Sequence, residues 1–228
     1  SEHRPHTPAR VGSNPTLPTN GCDMKILNAI PQTVAIACSG GPDSMAALDF
    51  LRLHGKRTVY VVYFNHGTEH GQEAENFLRS YCQEHNLPLF VGGLLRERKK
   101  DESPEEFWRN ERYRFFNDVM NGIGTPLITC HHLDDQVENW FLTATHGAPK
   151  LIPYQRGYVI RPFLLTRKKE MLDWCERKGV PFVVDPSNKD PKYCRNRIRL
   201  NIIPEIEKIN PGIYKTISRM VVDAYEVR

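Results

Sequence analysis

The sequence predicts an α/β fold built on a doubly wound parallel sheet, followed by a small helical extension. Strand-length apolar runs alternate with helix-length amphipathic stretches through the first two thirds of the 228-residue chain. Polar clusters follow three of the strands, and basic helical patterns replace the alternation after residue 157. Because strands joined through helices pair in parallel by right-handed crossovers, we expect helices on both faces of the sheet.

The elements follow one another in βα order. Apolar runs predict strands at residues 33–38, 58–64, 87–91 and 126–129, and amphipathic stretches predict helices at residues 44–53, 72–85 and 133–145. Ser103, Pro104 and Glu106 form a capping-box pattern that predicts the start of a further long helix. The chain thereby divides into a tail at 1–23, disordered or left from cloning, an α/β domain at 24–157 and a small basic helical extension at 158–228.

The composition argues against a membrane-spanning or disulfide-stabilised protein. Hydrophobic residues make up 39%, charged residues 25%, and no apolar run is long enough to span a bilayer. The six cysteines show no CxxC spacing and no secretory leader precedes them, so a reducing cytoplasm is expected. From residue 161 onward, fifteen Lys and Arg stand against nine Asp and Glu, which fits a polyanionic partner or a solvated basic face.

Three polar clusters follow predicted strands, where an open parallel sheet binds its ligands. They read SGGPDS at residues 39–44, NHGTEHG at residues 65–71 and CHHLDDQVEN at residues 130–139. The glycines of the first cluster fit either a tight turn or a loop whose backbone amides approach a phosphate. No Walker lysine and no GxGxxG spacing follow, so neither an ordinary P-loop nor a dinucleotide fingerprint fits.

The other clusters also leave alternatives open. The acids and histidines of the third cluster fit metal ligands, catalytic groups or a helix cap, and paired carboxylates beside a phosphate loop suit Mg²⁺. A zinc site is a less favoured alternative, because adjacent histidines converge poorly on one ion; it would use His66, His70, His131 and His132. Arg109 and Arg112 share a helix face with Tyr113 and fit either phosphate contacts or a solvated face paired with glutamates.

Taken in order, these motifs resemble the tRNA(Ile)-lysidine synthetase family of PP-loop, or N-type, ATP pyrophosphatases, which have an adenine-nucleotide α-hydrolase-like fold. The resemblance runs through ACSGGPDSMAALDFL, FNHG, WRNERYRFF, HHLDDQVEN, RPFLLTRKKEM and DPSNKDPKYCRNRIRLNIIP. It covers residues 34–211 and resembles a short form without the C-terminal domains of longer members. One departure is Thr68-Glu69, where the family usually continues Leu-Arg.

The resemblance implies roles for matching residues. The loop would bind the pyrophosphate part of ATP through Ser39, Gly40, Gly41, Asp43 and Ser44, with Asn65 and His66 near the nucleotide. Phosphate contacts and stabilisation of an adenylated intermediate would come from Arg109, Arg112, His131, His132 and Asp135, with Mg²⁺ held by Asp134 and Asp135. Site closure or contacts to RNA or lysine would come from Asp185, Ser187, Asn188, Arg195, Asn196 and Arg199.

The implied reaction modifies isoleucine tRNA with a CAU anticodon. The wobble cytidine O2 attacks the α-phosphate of ATP and releases pyrophosphate, and the ε-amine of free lysine then displaces AMP to give lysidine. Asp135 is the candidate for orienting or deprotonating that amine. The sequence indicates no membrane partner and carries no signal of an oligomeric state.

Two other functions stay open. Another PP-loop enzyme, a tRNA thiolase or an amide-forming ATP pyrophosphatase, would share the loop. Cys130 beside the paired histidines keeps a thiolase in consideration, although CxxC is missing. The second alternative is a nucleotide- and RNA-binding relative without catalysis, against which the intact acids and histidines argue.

Overall fold

The computed structural model describes residues 24–184 and 194–226. Its strands are β1 (Thr33–Ala37), β2 (Thr58–Asn65), β3 (Leu89–Gly93), β4 (Leu127–Ile128), β5 (Gln155–Arg156) and β6 (Val159–Ile160). They form one sheet in the order β3-β2-β1-β4-β6-β5, in which every neighbouring pair is parallel except β5 with β6. The predicted α/β fold on a mostly parallel sheet is confirmed.

Helices connect these strands and make up most of the C-terminal part. They are α1 (Pro42–Leu53), α2 (Glu69–Glu84), α3 (Pro104–Ile123), α4 (Leu133–Ala144), α5 (Lys168–Lys178), α6 (Cys194–Arg197), α7 (Ile203–Ile209) and α8 (Ile213–Tyr225), with a π-helical turn at Ile198–Ile202. The predicted helical character of the last third is confirmed. The first helix of that part after the RPFLL motif at residues 161–165 is α5, which begins at Lys168.

Alternate residues of the inner strands supply two separate apolar layers. Val34 and Ile36 of β1 pack on one face with side chains of α1, α2 and α5. Ala35 and Val62 point to the other face and pack with Phe116 of α3. Because successive strand residues point to opposite faces, this period-two division covers the sheet on both sides.

Capping side chains fix where the helices begin. Ser103 accepts a hydrogen bond from the Glu106 amide at 3.1 Å and starts α3, as the sequence predicts. Thr68 accepts from the Gly71 amide at 3.0 Å, so α2 begins three residues earlier than predicted. The departure at residues 68–69 therefore serves as a helix start.

A hairpin formed by β5 and β6 extends the sheet beyond the predicted strands. Gly157 turns the chain with a φ of +59°, a conformation open to glycine. The predicted division between residues 157 and 158 falls inside this hairpin, so the last parallel strand lies in the segment assigned to the helical extension. Two-residue strands are too short to produce a periodic sequence signal.

The C-terminal helices pack against α4 rather than standing apart from the sheet domain. Leu133 and Val137 of α4 join Ile213, Ile217 and Val221 of α8 in one buried cluster. Throughout residues 24–184 and 194–226, no helix is both long and apolar enough to cross a membrane.

Candidate active site

The site lies where the strand order reverses, between β1 and β4. From this point the chain builds the sheet outward in both directions, which leaves a crevice at the carboxyl ends of the two strands. The loops that follow β1, β2 and β4 surround a cavity of about 450 Å³. Its walls include Ser39, Gly41, Phe64, His66, Gly71, Arg112, Tyr113, Thr129, His131 and Val183.

The glycine loop, residues 39–44, closes on itself through its two serines. Ser44 Oγ donates to the Gly41 carbonyl at 2.9 Å and accepts from the Ser39 amide at 3.2 Å. Gly40 has a φ of +78°, and Gly41 caps α1 without any side-chain hydrogen bond to the first helical turn. Pro42 has no amide hydrogen, so the amides of Asp43 and Ser44 are the first that α1 can offer to an anion, which the helix dipole also favours.

A segment that follows α5 lies directly on this loop. The Val183 amide donates to the Gly40 carbonyl at 2.9 Å. The positive φ favours glycine at residue 40, and a Cβ there would also lie in tight contact, 3.1 Å from Val183 Cγ2.

Asp43 carries the negative charge of the loop and lies beside Lys168 and His132. Lys168 Nζ donates to Asp43 Oδ2 at 3.2 Å, and His132 Nε2 lies 3.7 Å from the same oxygen. Burial opposes ionisation, but His132 and Lys168 outweigh it and hold the pKa of Asp43 below its ordinary value. Oδ1 of Asp43 is buried and has no partner within the described residues.

His132 starts α4 through a reciprocal cap. Its Nδ1 accepts from the Asp135 amide at 3.3 Å, while the Asp135 carboxylate accepts from the His132 amide at 2.9 Å. Asp134 points instead toward α5, where its Oδ2 accepts from the Lys168 amide at 2.7 Å and from Arg167 Nε at 3.3 Å. Both acids assigned to Mg²⁺ by resemblance therefore already have protein partners.

The pKa values of the two adjacent histidines are shifted in opposite directions. Burial works against a charged His132, but Asp135, Asp43 and Asp134 outweigh it and raise its pKa. Burial lowers the pKa of His131 to about 4, although Asp135 acts in the opposite direction. His131 lines the cavity as a neutral ring, with Nδ1 3.0 Å from Thr129 Oγ1.

The two arginines of α3 face different spaces. Arg112 lines the cavity, and burial lowers its pKa. Arg109 is exposed, does not line that cavity and lies with its guanidinium 4.8 Å from the centre of the Tyr113 ring. One glutamate of the same helix, Glu111, is buried and pairs with Arg96 and Arg114 rather than with either of these arginines. Arg112 has no recorded ion pair within the described residues.

The two residues after β2 contribute differently. Asn65 donates to Glu75 Oε2 at 2.9 Å and accepts from the Gly67 amide at 2.8 Å, so its amide supports the loop. His66 packs its ring between Phe64 and Trp108, and its buried Nδ1 has no partner within the described part of the chain. His66 is thus the member of the pair with an unused polar atom at the cavity.

The C-terminal candidates reach the site in part. Arg199 of the π-helical turn forms a bidentate ion pair with Glu138, whose side chain is 1% exposed. Arg195 is exposed and acts electrostatically on His131, while Asn196 is buried. Asp185, Ser187 and Asn188 lie outside the described residues.

No group of three or more His, Cys, Asp or Glu side chains converges as metal ligands among residues 24–184 and 194–226. The four histidines considered for zinc are not brought together as such a group. A metal at this site would need ligands from a bound substrate as well.

Sequence reasoning missed Arg167 and Lys168, which lie at the start of α5 and reach across to Asp134 and Asp43. The only signal for them in the sequence is the basic run RKK after the RPFLL motif, and that run does not predict which residues these side chains contact. Contacts between residues 125 positions apart are set by the packing of α5 on α1.

Comparison with known proteins agrees with this geometry. The PP-loop domain model matches residues 22–206. The tRNA(Ile)-lysidine synthase of Francisella philomiragia is 33% identical over 205 residues, which make up 86% of this chain and 51% of that protein. The Staphylococcus aureus (strain COL) tRNA(Ile)-lysidine synthase is 35% identical over 192 residues, or 78% of this chain and 44% of that protein.

A longer relative and a solved structure extend the comparison. The bifunctional protein TilS/HprT of Listeria innocua is 34% identical over 81% of this chain and 31% of its own length. The chain thus spans between about a third and a half of these relatives. The U34-tRNA thiolase NcsA from Methanococcus maripaludis, solved with its 4Fe-4S cluster, superposes with a TM-score of 0.67 at 18% identity, covering 87% of this chain and 72% of that one. That likeness concerns the fold.

Proposed function

The chain belongs to the PP-loop domain family, and from that premise we propose that it is an ATP-dependent RNA-modifying ligase. In this proposal it adenylates the wobble cytidine of tRNA(Ile) and replaces AMP with lysine. One observation carries the proposal. The glycine loop, which leads into the N-terminus of α1, and Arg112, which has no ion pair among the described residues, line the same cavity. Curated relatives that match most of the chain are lysidine synthases, which favours this reaction over others of the same loop.

The residues of the cavity divide the work of binding and activating ATP. Amides of the glycine loop and of the first turn of α1 bind the β- and γ-phosphates, which become the leaving pyrophosphate. Arg112 faces the loop and stabilises charge that builds up as cytidine O2 attacks the α-phosphate. Neutral His131 donates or accepts a hydrogen bond at the same wall without adding charge.

Mg²⁺ fits one residue of this site better than the pair assigned by resemblance. Asp43 has a buried Oδ1 without a partner and lies in the loop that binds the phosphates. Mg²⁺ commonly takes one carboxylate and several phosphate oxygens, and when bound it neutralises charge on the leaving pyrophosphate. Asp43 together with ATP would supply such a set, whereas Asp134 is already engaged by Arg167 and Lys168.

The second step needs an uncharged lysine amine. Asp135 lies at the start of α4 beside His132, and its carboxylate is the group that would orient or accept a proton from that amine. The amine then forms a bond to C2 of the cytidine ring as the C2–O bond to AMP breaks.

The test is to incubate the protein with ATP, Mg²⁺, lysine and unmodified tRNA(Ile). We expect AMP, pyrophosphate and a lysine-sized mass increase on the wobble cytidine. Omitting lysine is the control, because pyrophosphate is then released while the RNA gains no lysine. ATP turnover with an unmodified RNA would point to another PP-loop enzyme, and no pyrophosphate release with any tRNA would point to a non-catalytic relative.

A thiolase is less well supported by the site. Burial raises the pKa of the Cys130 thiol well above its ordinary value, so this side chain is not held as a reactive thiolate. Cys130→Ser that abolishes turnover would reverse this preference.

A further inference from the structure

A second cleft opens on the other side of Tyr113 from the ATP cavity. It has a volume of about 240 Å³ and lies between α3 and the β5–β6 hairpin. Its walls include Arg109, Asn110, Tyr113, Arg156, Tyr158 and Arg161. We call it the arginine cleft, because three of these side chains are arginines and no acidic residue lines it.

The three arginines are not neutralised within the described chain. None of them forms an ion pair with a residue of 24–184 or 194–226. Arg161 is 6% exposed, and although Nη1 donates to the Pro153 carbonyl at 2.8 Å, its Nε is buried without a partner. Burial lowers the pKa of Arg161, although its hydrogen bond to the Tyr113 side chain acts in the opposite direction, and Arg156 and Arg109 lower it further. Uncompensated cations kept this close are stabilised by an anion that enters the cleft.

The cleft is held in shape by contacts between its two walls. The Tyr158 hydroxyl donates to the Tyr113 carbonyl at 3.4 Å and so joins the hairpin to α3. The Arg109 guanidinium lies over the Tyr113 ring, while Arg112 approaches that ring from the side of the ATP cavity. Tyr113 therefore separates two spaces, and each has its own α3 arginine.

We propose that the arginine cleft binds a backbone phosphate of the RNA substrate next to the nucleotide that is modified. The inference rests on the proposed function. Planar guanidinium groups bind phosphate oxygens through two parallel hydrogen bonds, and tyrosine rings beside them suit nucleotides. The cleft has about half the volume of the ATP cavity, which fits a phosphate with part of a sugar better than a second nucleotide. Arg109 accordingly acts on the RNA and Arg112 on ATP.

The experiment measures binding of a fluorescent anticodon stem-loop RNA with a CAU loop to the wild type and to Arg156→Ala. Arg156 is exposed at the sheet edge, so its removal spares the core. We expect affinity to fall on the order of tenfold. The slope of log affinity against log salt should decrease by about 0.7 to 1, as for one lost phosphate contact. ATP affinity without RNA should stay unchanged. Arg219→Ala, which removes an exposed arginine of α8, is the matched control and should change neither.

Each alternative outcome is decisive. If Arg156→Ala binds the stem-loop as tightly and with the same salt slope as wild type, while wild type forms lysidine, the arginine cleft is not an RNA site and the proposed function stands. If Arg156→Ala weakens ATP instead of RNA, the cleft belongs to the nucleotide and the inference is overturned. If the wild type neither binds the stem-loop nor modifies tRNA, the proposed function fails and the cleft loses its occupant.

Discussion

Two helices at the site, α3 and α4, manage charge in opposite ways. On α4, Asp134, Asp135 and Glu138 all have partners in the protein, supplied by α5, by the helix cap and by the π-helical turn. On α3, Arg109 and Arg112 have no recorded ion pair within the described residues. Charges that are paired internally hold the fold and set pKa values, whereas an unpaired, partly buried cation such as Arg112 is costly unless a ligand binds it. The difference indicates that α4 organises the site, while the proposed function assigns the two α3 arginines to bound substrates.

The internal pairing of the α4 carboxylates is best tested at Arg199, the partner of Glu138. Arg199→Ala leaves Glu138 buried with an unpaired charge, so we expect a loss of about 3–5 kcal/mol in the free energy of unfolding. Urea denaturation measures it. The double variant Arg199→Met, Glu138→Gln removes both charges and should recover most of the loss. A loss below about 1 kcal/mol, as for an exposed pair, would contradict the assignment.

The role of the unpaired α3 arginines is best tested at Arg112. Arg112→Ala should reduce kcat for pyrophosphate release by about 10²- to 10³-fold, as for removal of one transition-state donor. Folding stability should not fall, because the variant removes a buried cation that has no recorded partner. Arg114→Ala on the same helix is the control for activity, since Arg114 is exposed and does not line the cavity. Full activity in Arg112→Ala, or a large stability loss, would contradict the comparison.

Asp134 distinguishes a structural from a metal-binding role. Asp134→Asn weakens the contacts to Arg167 and to the Lys168 amide, and should cost about 1–2 kcal/mol of stability. Urea unfolding with and without Mg²⁺ should give the same loss. A stabilisation by Mg²⁺ that the wild type shows and the variant lacks would instead make Asp134 a metal ligand.

The neutral state of His131 can be tested through the pH dependence of stability. The unfolded chain protonates His131 near its ordinary pKa of 6.5, and the folded protein does so only at about 4. The stability that neutral His131 contributes is therefore fully present above pH 6.5 and is lost as the pH falls toward 4, by at most about 1.4 kcal/mol per pH unit. His131→Gln should flatten the wild-type decline between pH 6.5 and 4, measured by urea unfolding. Parallel profiles would contradict the neutral state.

The sequence predicts those parts of the protein whose contacts are local. The glycine loop closes through hydrogen bonds between Ser39, Gly41 and Ser44, and the predicted cap of α3 spans three residues. Patterns at that range determine structure directly, which is why the strands, the main helices and the loop can be placed from the sequence.

The remaining features depend on residues far apart in the chain. Lys168 meets Asp43, and Arg199 meets Glu138, only because α5 and the π-helical turn pack where they do. The split between Arg109 and Arg112 depends on the β5–β6 hairpin, which is too short to leave a periodic pattern. Spacing on α3 predicts that both arginines share a helix face. It does not predict that they line two different spaces separated by Tyr113.

The hairpin also bears on how copies of the protein behave in concentrated solution. A sheet edge with free backbone groups invites edge-to-edge pairing between molecules, and long flat edges are the most prone to it. At one edge of this sheet the last strand, β5, has only two exposed residues, and one of them is Arg156. A charged strand this short offers little for a second chain to extend, so Arg156 also helps to keep that edge from seeding aggregation.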